Sequence, residues 1–161
     1  MKINRFLFKD KPVELLDEID FSSETINLDN IRQIKKAKVK IIGQEYDDLL
    51  ILDVTVDTDI IGICSYTLED VPLHLHFKDT LEFSSEIEDD ESIFFEPKPI
   101  FDIDPYILGL IVSETPTKII KKGAKLPSSG DGYRVLSEEE YRQEQENKKD
   151  SRWSKLDDVE L

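Results

Sequence analysis

The chain has 161 residues, of which 39% are hydrophobic and 35% charged, and its net charge at pH 7 is −15. That length suits one domain with room for a tail. The single cysteine excludes an internal disulfide and an all-cysteine zinc site, and it favours a reducing cytoplasm. The start, "MKINRFLFKDKP", lacks the apolar core of a signal peptide, and no apolar stretch is long enough to span a membrane.

The charge is concentrated in the middle of the chain. Residues 41–115 hold nineteen acidic and two basic side chains, a net charge of −17, whereas residues 1–40 carry +2 and residues 116–161 carry 0. A surface of that sign repels phosphate, so we expect no broad nucleic-acid interface there. The acidic middle suits a basic protein partner, or it serves solubility alone.

The first predicted element is a short helix in "KPVELLDEIDF", where Pro12 falls in the first turn. "ETINL" is a candidate strand. In "KKAKVKIIG" apolar residues alternate with lysines, which indicates a half-buried strand with an outer face of Lys36, Lys38 and Lys40. After the acidic turn "QEYDD", "LLILDVTVD" predicts the second strand of a hairpin, with one face formed by Leu50, Leu52, Val54 and Val56.

A long strand is predicted from Val71 to Phe83. Six apolar residues occupy odd positions, namely Val71, Leu73, Leu75, Phe77, Leu81 and Phe83, whereas His74, His76, Lys78, Thr80 and Glu82 occupy even ones, so we expect both histidines to point outward. The stretch "SSEIEDDES" that follows is predicted to be an acidic loop.

Two helices are predicted in the last third of the chain. "FDIDPYILGLIVSETP" indicates a helix with Asp104 as N-cap and Pro105 in its first position, ended by Pro116. It is apolar nearly all round, so we expect it to be buried against the sheet. Beyond a loop rich in Gly, Ser and Pro, "SEEEYRQEQENKKD" opens with a capping box of Ser137 and Glu140. It has almost no apolar face, which predicts an exposed helix.

These elements predict an α+β fold, with a mostly antiparallel sheet, a buried helix after the long strands and a loose helical C-terminal tail. We expect an α+β domain over residues 1–127 and a polar, partly disordered tail over residues 128–161.

The only cysteine and the only two histidines lie close together in "ICSYTLEDVPLHLHF". Two histidines two positions apart on a strand share a face, but a metal site needs a third ligand. Cys64 would supply it, or would act as a nucleophile with a histidine base, only if the strands brought it to that face. A cysteine- or metal-dependent enzyme using Cys64, His74 and His76 is therefore the alternative hypothesis. The simpler interpretation is a buried, inert cysteine beside solvated histidines, with no cofactor.

Three charged groups are candidates for macromolecular contacts. Phosphate contacts are predicted at Lys36, Lys38 and Lys40 and at a second group, Lys118, Lys121, Lys122 and Lys125. Neither group is interleaved with aromatic residues, and solvated lysines are common on any surface. The predicted contact loop for a protein partner consists of Glu88, Asp89, Asp90 and Glu91.

Four stretches, taken in order, are similar to motifs of one known protein family. The first is Cys64, Tyr66 and Leu68 followed by an apolar-alternating strand, similar to a Cys-x-Arg-x-Leu motif. The second is "DIDPYILGLIVSETP", with Glu114 and Pro116 in a Glu-x-Pro motif. The third is "GYRVLSEEEY". The fourth is "DSRWSKLDDV", similar to a terminal Asp-Pro-Arg-x-x-x-Leu motif and represented here by Asp150, Arg152 and Leu156. Together these stretches resemble the YceD family of large ribosomal RNA subunit accumulation proteins.

The chain departs from the family pattern at Tyr66, where arginine is usual, and at Ser151, where proline is usual. The downstream cysteine cluster of some members is missing, so no metal role is expected. The resemblance implies a bacterial, cytoplasmic, non-catalytic factor that supports accumulation of large-subunit (23S) ribosomal RNA. We expect its partner to be a basic ribosomal protein or assembly factor, with ribosomal RNA touched through the lysines. No membrane contact and no small-molecule substrate are expected.

Overall fold

A computed structural model describes residues 1–24 and 28–147. The strands are β1 (Lys2–Asn4), β2 (Val13–Asp20), β3 (Ile31–Tyr46), β4 (Leu49–Ile63), β5 (Asp70–Ser84), β6 (Ile93–Phe95) and β7 (Ile100–Asp102). The helices are α1 (Asp104–Glu114) and α2 (Glu138–Asn147), and a 3₁₀ turn (Arg5–Phe8) follows β1. The predicted α+β class is confirmed. No helix in the described residues has the length and apolar character needed to cross a membrane.

Five strands form the main sheet in the order β2-β3-β4-β5-β6. Neighbours are antiparallel except for β6, which runs parallel to β5. A separate two-stranded sheet pairs β1 with β7, so that Lys2 lies opposite Asp102. The main sheet is built from chain neighbours joined by turns, whereas the small sheet joins sequence-distant segments.

The hairpin predicted between β3 and β4 is confirmed. Asp47 and Asp48 form its turn with φ values of 43° and 68°, a left-handed conformation that aspartate tolerates better than most residues and that matches strand twist. In β3 the core residues Ile31, Ile34 and Ala37 are spaced by three. Register shifts at both intervals absorb the extra residues and keep all three on the core face.

One face of the main sheet forms the core together with α1. The predicted inward set is buried throughout, comprising Leu50, Leu52, Val54 and Val56. From α1, Ile107 and Ile111 are fully buried. Phe83 of β5 contacts Phe101 and Tyr106 at ring-centroid distances of 4.9 Å. The helix is therefore held against β5 by an aromatic cluster as well as by aliphatic packing.

The predicted first helix is wrong, because its residues form β2. Val13, Leu15 and Ile19 lie opposite Gly43, Ile41 and Ala37 of β3. The segment carries both a helical spacing of apolar residues and a period of two, and pairing with β3 selects the second. Pro12 lies just before the strand, where its missing N–H costs no ladder hydrogen bond.

Of the two predicted helix starts, the one for α1 is displaced by one residue and the one for α2 is confirmed. The N-cap of α1 is Ile103 rather than Asp104, and the Asp104 N–H donates to Asp102 Oδ1 at 3.1 Å. The capping box of α2 is confirmed by reciprocal bonds. Ser137 N–H donates to Glu140 Oε2 at 2.7 Å, and Glu140 N–H donates to Ser137 Oγ at 3.1 Å. No residue of α2 is buried, as predicted.

Most of the predicted strand "ETINL" lies outside the described residues.

A buried ion pair joins the 3₁₀ turn to the β3–β4 hairpin. Arg5 donates to Glu45 Oε1 from Nε at 3.1 Å and from Nη2 at 2.9 Å, and both side chains are at most 7% exposed. Nη2 also donates to the carbonyl of Asp48 at 2.6 Å. Glu45 Oε2 is buried without a hydrogen-bond partner, so Arg5 is its main source of compensation.

We expect Arg5→Met to destabilise the protein by about 3–5 kcal/mol, because it leaves the Glu45 carboxylate buried and uncompensated. The double variant Arg5→Met, Glu45→Met removes both charges and should recover much of that loss. Denaturant unfolding of the four proteins in the cycle measures the coupling. Equal stability of the single and double variants would contradict this account.

Candidate functional site

The turn between β4 and β5 packs on the segment that follows α1. Ser65 N–H donates to the Ile119 carbonyl at 2.7 Å, and Ile119 N–H donates back to Ser65 Oγ at 3.3 Å. The Ile119 side chain is 4% exposed and lies over Gly62. A Cβ atom at Gly62 would come within 2.5 Å of Ile119 Cδ1, so any other residue here would displace the end of the Ile119 side chain.

Cys64 lies at the centre of this contact. Its side chain is fully buried, and its Sγ atom accepts the backbone N–H of Lys121 at 3.4 Å. Chiefly because of this bond, the pKa of the Cys64 thiol is lowered from 9.0 to about 7, although burial acts in the opposite direction. The cysteine joins the two segments and is shielded from solvent.

Tyr66 and Lys118 meet on the outside of the same contact. Lys118 Nζ lies 5.7 Å from the centroid of the Tyr66 ring and 3.1 Å from a Glu138 carboxylate oxygen at the start of α2. The hydrogen bond to Glu138 raises the pKa of Lys118. A lysine thus connects the turn, the segment after α1 and the second helix.

A second lysine holds the other end of the turn. Lys121 Nζ lies 3.1 Å from Glu69 Oε2, and this bond lowers the pKa of Glu69. Leu68, which precedes Glu69 in the turn, is 72% exposed and has a left-handed backbone conformation with φ of 58°. Asn30 completes the arrangement by donating from Nδ2 to the Pro116 carbonyl at 3.1 Å. We name as the motif cluster Cys64, Tyr66, Pro116, Lys118 and Lys121.

The lysines of β3 lie elsewhere, on the outer face of the main sheet. Lys36 pairs with Glu18 at 2.9 Å, and Lys40 pairs with Glu14 at 2.8 Å. Lys38 lies in register between Glu18 and Asp57 on the neighbouring strands. Their positive charge is therefore interleaved with carboxylates, which weakens attraction for phosphate.

The two histidines are exposed on the same outer face, as predicted. His74 Nδ1 lies 3.0 Å from Asp59 and His76 Nδ1 lies 3.3 Å from Asp57. Cys64, by contrast, is buried beyond the end of β4. The grouping needed by the enzyme alternative is not formed, and nothing else supports that alternative. In the described part of the chain, no three metal-binding side chains are grouped to hold an ion.

The predicted partner loop is exposed between β5 and β6. Glu88 accepts the Ser84 hydroxyl at 3.1 Å, and Asp90 accepts the N–H and hydroxyl of Ser92. The bonds from Ser92 lower the pKa of Asp90. Asp89 and Glu91 are exposed beside them. The loop therefore presents four carboxylates on a partly ordered backbone.

Comparison with known proteins identifies the family. A family model described as large ribosomal RNA subunit accumulation protein YceD matches residues 52–160, more than half of the chain. The chain belongs to the YceD family. No curated protein and no solved structure matches it.

The YceD match starts within β4 and includes the whole motif cluster. Of the other predicted motif positions, Leu68 lies in the β4–β5 turn, and Glu114 is the exposed last residue of α1. The positions outside the described residues are Asp150, Arg152 and Leu156. Lys122 and Lys125 are exposed on the segment after Lys121, and the lysines of β3 precede the matched range.

Sequence reasoning missed that the turn carrying Cys64 and Tyr66 packs on the lysine-bearing segment after α1. Tyr66 and Lys118 are far apart in the chain, so no local pattern joins an aromatic ring to this lysine group. One signal was available, because Ile119 and Ile120 interrupt the lysines, and an apolar pair inside a polar segment indicates a buried anchor. Ile119 is that anchor, while Ile120 is 45% exposed.

The lowered pKa of Cys64 predicts a pH dependence of stability. A folded-state pKa near 7, below 9.0 in the unfolded chain, means that this stabilisation is present above pH 9. It is lost as pH falls through 7. Between pH 7 and 9 we expect the unfolding free energy of the wild-type protein to increase relative to that of Cys64→Ser. Denaturant titrations of both proteins check this, and the same slope in both would contradict the assignment.

Proposed function

We propose that the protein is a non-catalytic accessory factor of ribosome biogenesis in the bacterial cytoplasm. In this role it supports synthesis, processing or accumulation of large-subunit (23S) ribosomal RNA. The YceD match over residues 52–160 is the observation that carries the proposal. The motif cluster adds support, because a cysteine buried by packing and lysines held at its rim suit an interaction surface better than a reaction centre. No cofactor is part of the proposal.

The proposed first contact is with a basic ribosomal protein or assembly factor. Residues 41–115 carry a net charge of −17, and the loop of Glu88, Asp89, Asp90 and Glu91 lies exposed among them. Charge of one sign on an exposed loop attracts an oppositely charged partner at long range and raises its association rate. Solubility alone would explain the composition, so the contact must be tested at this loop.

Ribosomal RNA is the proposed second contact, through the segment that carries Lys118, Lys121, Lys122 and Lys125. Tyr66 supports this choice, because Lys118 lies over its half-buried ring, and a lysine beside an aromatic ring suits a phosphate and a base together. The β3 lysines fit less well, since carboxylates flank them on both neighbouring strands. They remain predicted contacts of lower rank.

We also propose that residues 1–127 form the YceD-like domain and that residues 128–161 are a polar tail. The exposed surface of α2 supports this division. The tail is not independent of the domain, because Glu138 pairs with Lys118.

Depletion of the protein tests the proposed role directly. We expect mature large-subunit ribosomal RNA to fall relative to small-subunit RNA, with a matching loss of large subunits in gradient profiles. Re-expression of the wild-type chain should restore both quantities. Unchanged RNA levels and normal profiles in depleted cells would overturn the proposal.

The partner contact is tested by replacing Glu88, Asp89, Asp90 and Glu91 with serine. We expect association with basic ribosomal proteins to slow by about tenfold at low salt. The effect should shrink as salt rises, because exposed charges are screened beyond about 8 Å at physiological ionic strength. Association is measured by stopped-flow fluorescence with purified large-subunit proteins.

A charge-matched control removes four exposed carboxylates elsewhere, at Glu24, Asp29, Asp131 and Glu139. Both variants lose the same net charge, so a larger effect of the loop variant assigns the steering to the loop. Tight binding of isolated large-subunit RNA, without binding of basic ribosomal proteins, would contradict the protein-first order.

A further inference from the structure

Strand β2 forms one end of the main sheet and leaves a backbone edge unpaired. In the described residues only β3 pairs with it. Phe21 N–H donates towards β3, to the Lys35 carbonyl, whereas Glu18 N–H donates to the side chain of Asp17. Because amide directions alternate along a strand, the N–H groups of Glu14, Leu16 and Glu18 point away from the sheet.

This edge is acidic and carries one apolar contact point. The strand "VELLDEID" contains four carboxylates and no basic residue. Glu14 and Glu18 form ion pairs with lysines of β3, while Asp17 and Asp20 are exposed and form none in the described residues, although Lys36 lies opposite Asp20. The Leu16 side chain is 71% exposed on the outer face of the sheet. Backbone donors, negative charge and an apolar side chain are therefore combined on one strand.

We propose that the β2 edge binds an extended, basic segment of a protein partner, which adds to the sheet as a sixth strand. Main-chain hydrogen bonds to the outward amides supply affinity and fix the register. A lysine or arginine of the segment pairs with Asp20 on the outer face of the sheet, where an apolar residue also covers Leu16, and a second basic residue pairs with Asp17 on the opposite face. The inference rests on the proposed function for its class of partner and adds where and how that partner is held.

The negative charge of the β2 edge favours a basic protein segment over a second copy of this chain and over a nucleic acid. A second copy pairing antiparallel through the same edge would set carboxylates against carboxylates, which opposes self-association. A nucleic acid would bring phosphate to the same acidic strand. The bond from Glu18 N–H to Asp17 Oδ1, at 2.8 Å, partly closes the edge when no partner is bound. A basic segment opens it by drawing the Asp17 carboxylate into an ion pair.

The test uses a synthetic peptide in which lysine alternates with threonine. The control peptide has the same charge but contains proline in place of alternate threonines, so it cannot form a strand. We expect the full-length protein to bind the first peptide about tenfold more tightly, since each lost backbone hydrogen bond weakens binding severalfold. Amide exchange at Glu14 and Leu16 should slow only with the first peptide.

Two variants at one position separate backbone from side-chain effects. Leu16→Pro removes an outward N–H without breaking a bond to β3 and should abolish the preference between the peptides. Leu16→Thr keeps that N–H and should retain the preference. If Leu16→Pro fails to fold, as judged by its melting curve, the exchange measurement on the wild-type protein still decides.

Equal binding of the two peptides, or unchanged exchange at Leu16, would overturn the proposal. Dimerisation through β2 in analytical ultracentrifugation would overturn it as well, by assigning the edge to a second copy. These outcomes are independent of ribosomal RNA levels in depleted cells, so failure here is distinguishable from failure of the proposed function.

Discussion

The register of β4 against its two neighbours is the constraint on which the rest of the structure depends. This strand is paired along its whole length, with β3 on one side and β5 on the other. A shift of one residue would move Leu52 and Val54 to solvent and bring Asp53 and Thr55 into the core. The core, the position of α1 and the pattern of charge on the outer face all follow from this one alignment.

The outer face of the sheet shows why a count of charged residues is a poor guide to the electrostatic potential of a sheet surface. Along β2 and in the middle of β4 the charged outward residues are acidic, while those of β3 between them are mainly basic and β5 carries histidines and a lysine. Each column of one sign therefore faces a column of the other sign. Such cross-strand pairs contribute modestly to stability, yet they remove much of the field that the lysines of β3 would otherwise project. The acidic charge is uncompensated instead at the loop after β5, where no neighbouring strand supplies basic side chains.

Much of the fold follows from the sequence because its strongest signals are local. The long strands alternate over most of their length, the Asp47–Asp48 turn joins two of them, and Ser137 with Glu140 marks a helix start. In β2 the sequence is ambiguous, because Leu15, Leu16 and Ile19 satisfy a helical spacing while Val13, Leu15 and Ile19 satisfy a strand period, and only the presence of β3 decides between the two. The resemblance marked positions of the motif cluster in the sequence, but it could not predict their contacts, because these join the β4–β5 turn to a segment beyond α1. Side-chain partners across strands, such as Glu18 for Lys36, depend on register and are equally invisible in the sequence.

The pairing of β1 with β7 has a consequence for the order in which the chain acquires structure during synthesis. Ile3 and Phe8 are buried, but β1 has no partner until residues 100–102 have been translated. At about 5–20 residues per second, the N-terminal segment waits on the order of 5–20 s outside the ribosome before its sheet can form. The β2–β5 hairpins, whose partners are chain neighbours, can form during that interval. Closure of the small sheet is therefore a late step, and β1 is exposed to chaperones until residues 100–102 have left the ribosome.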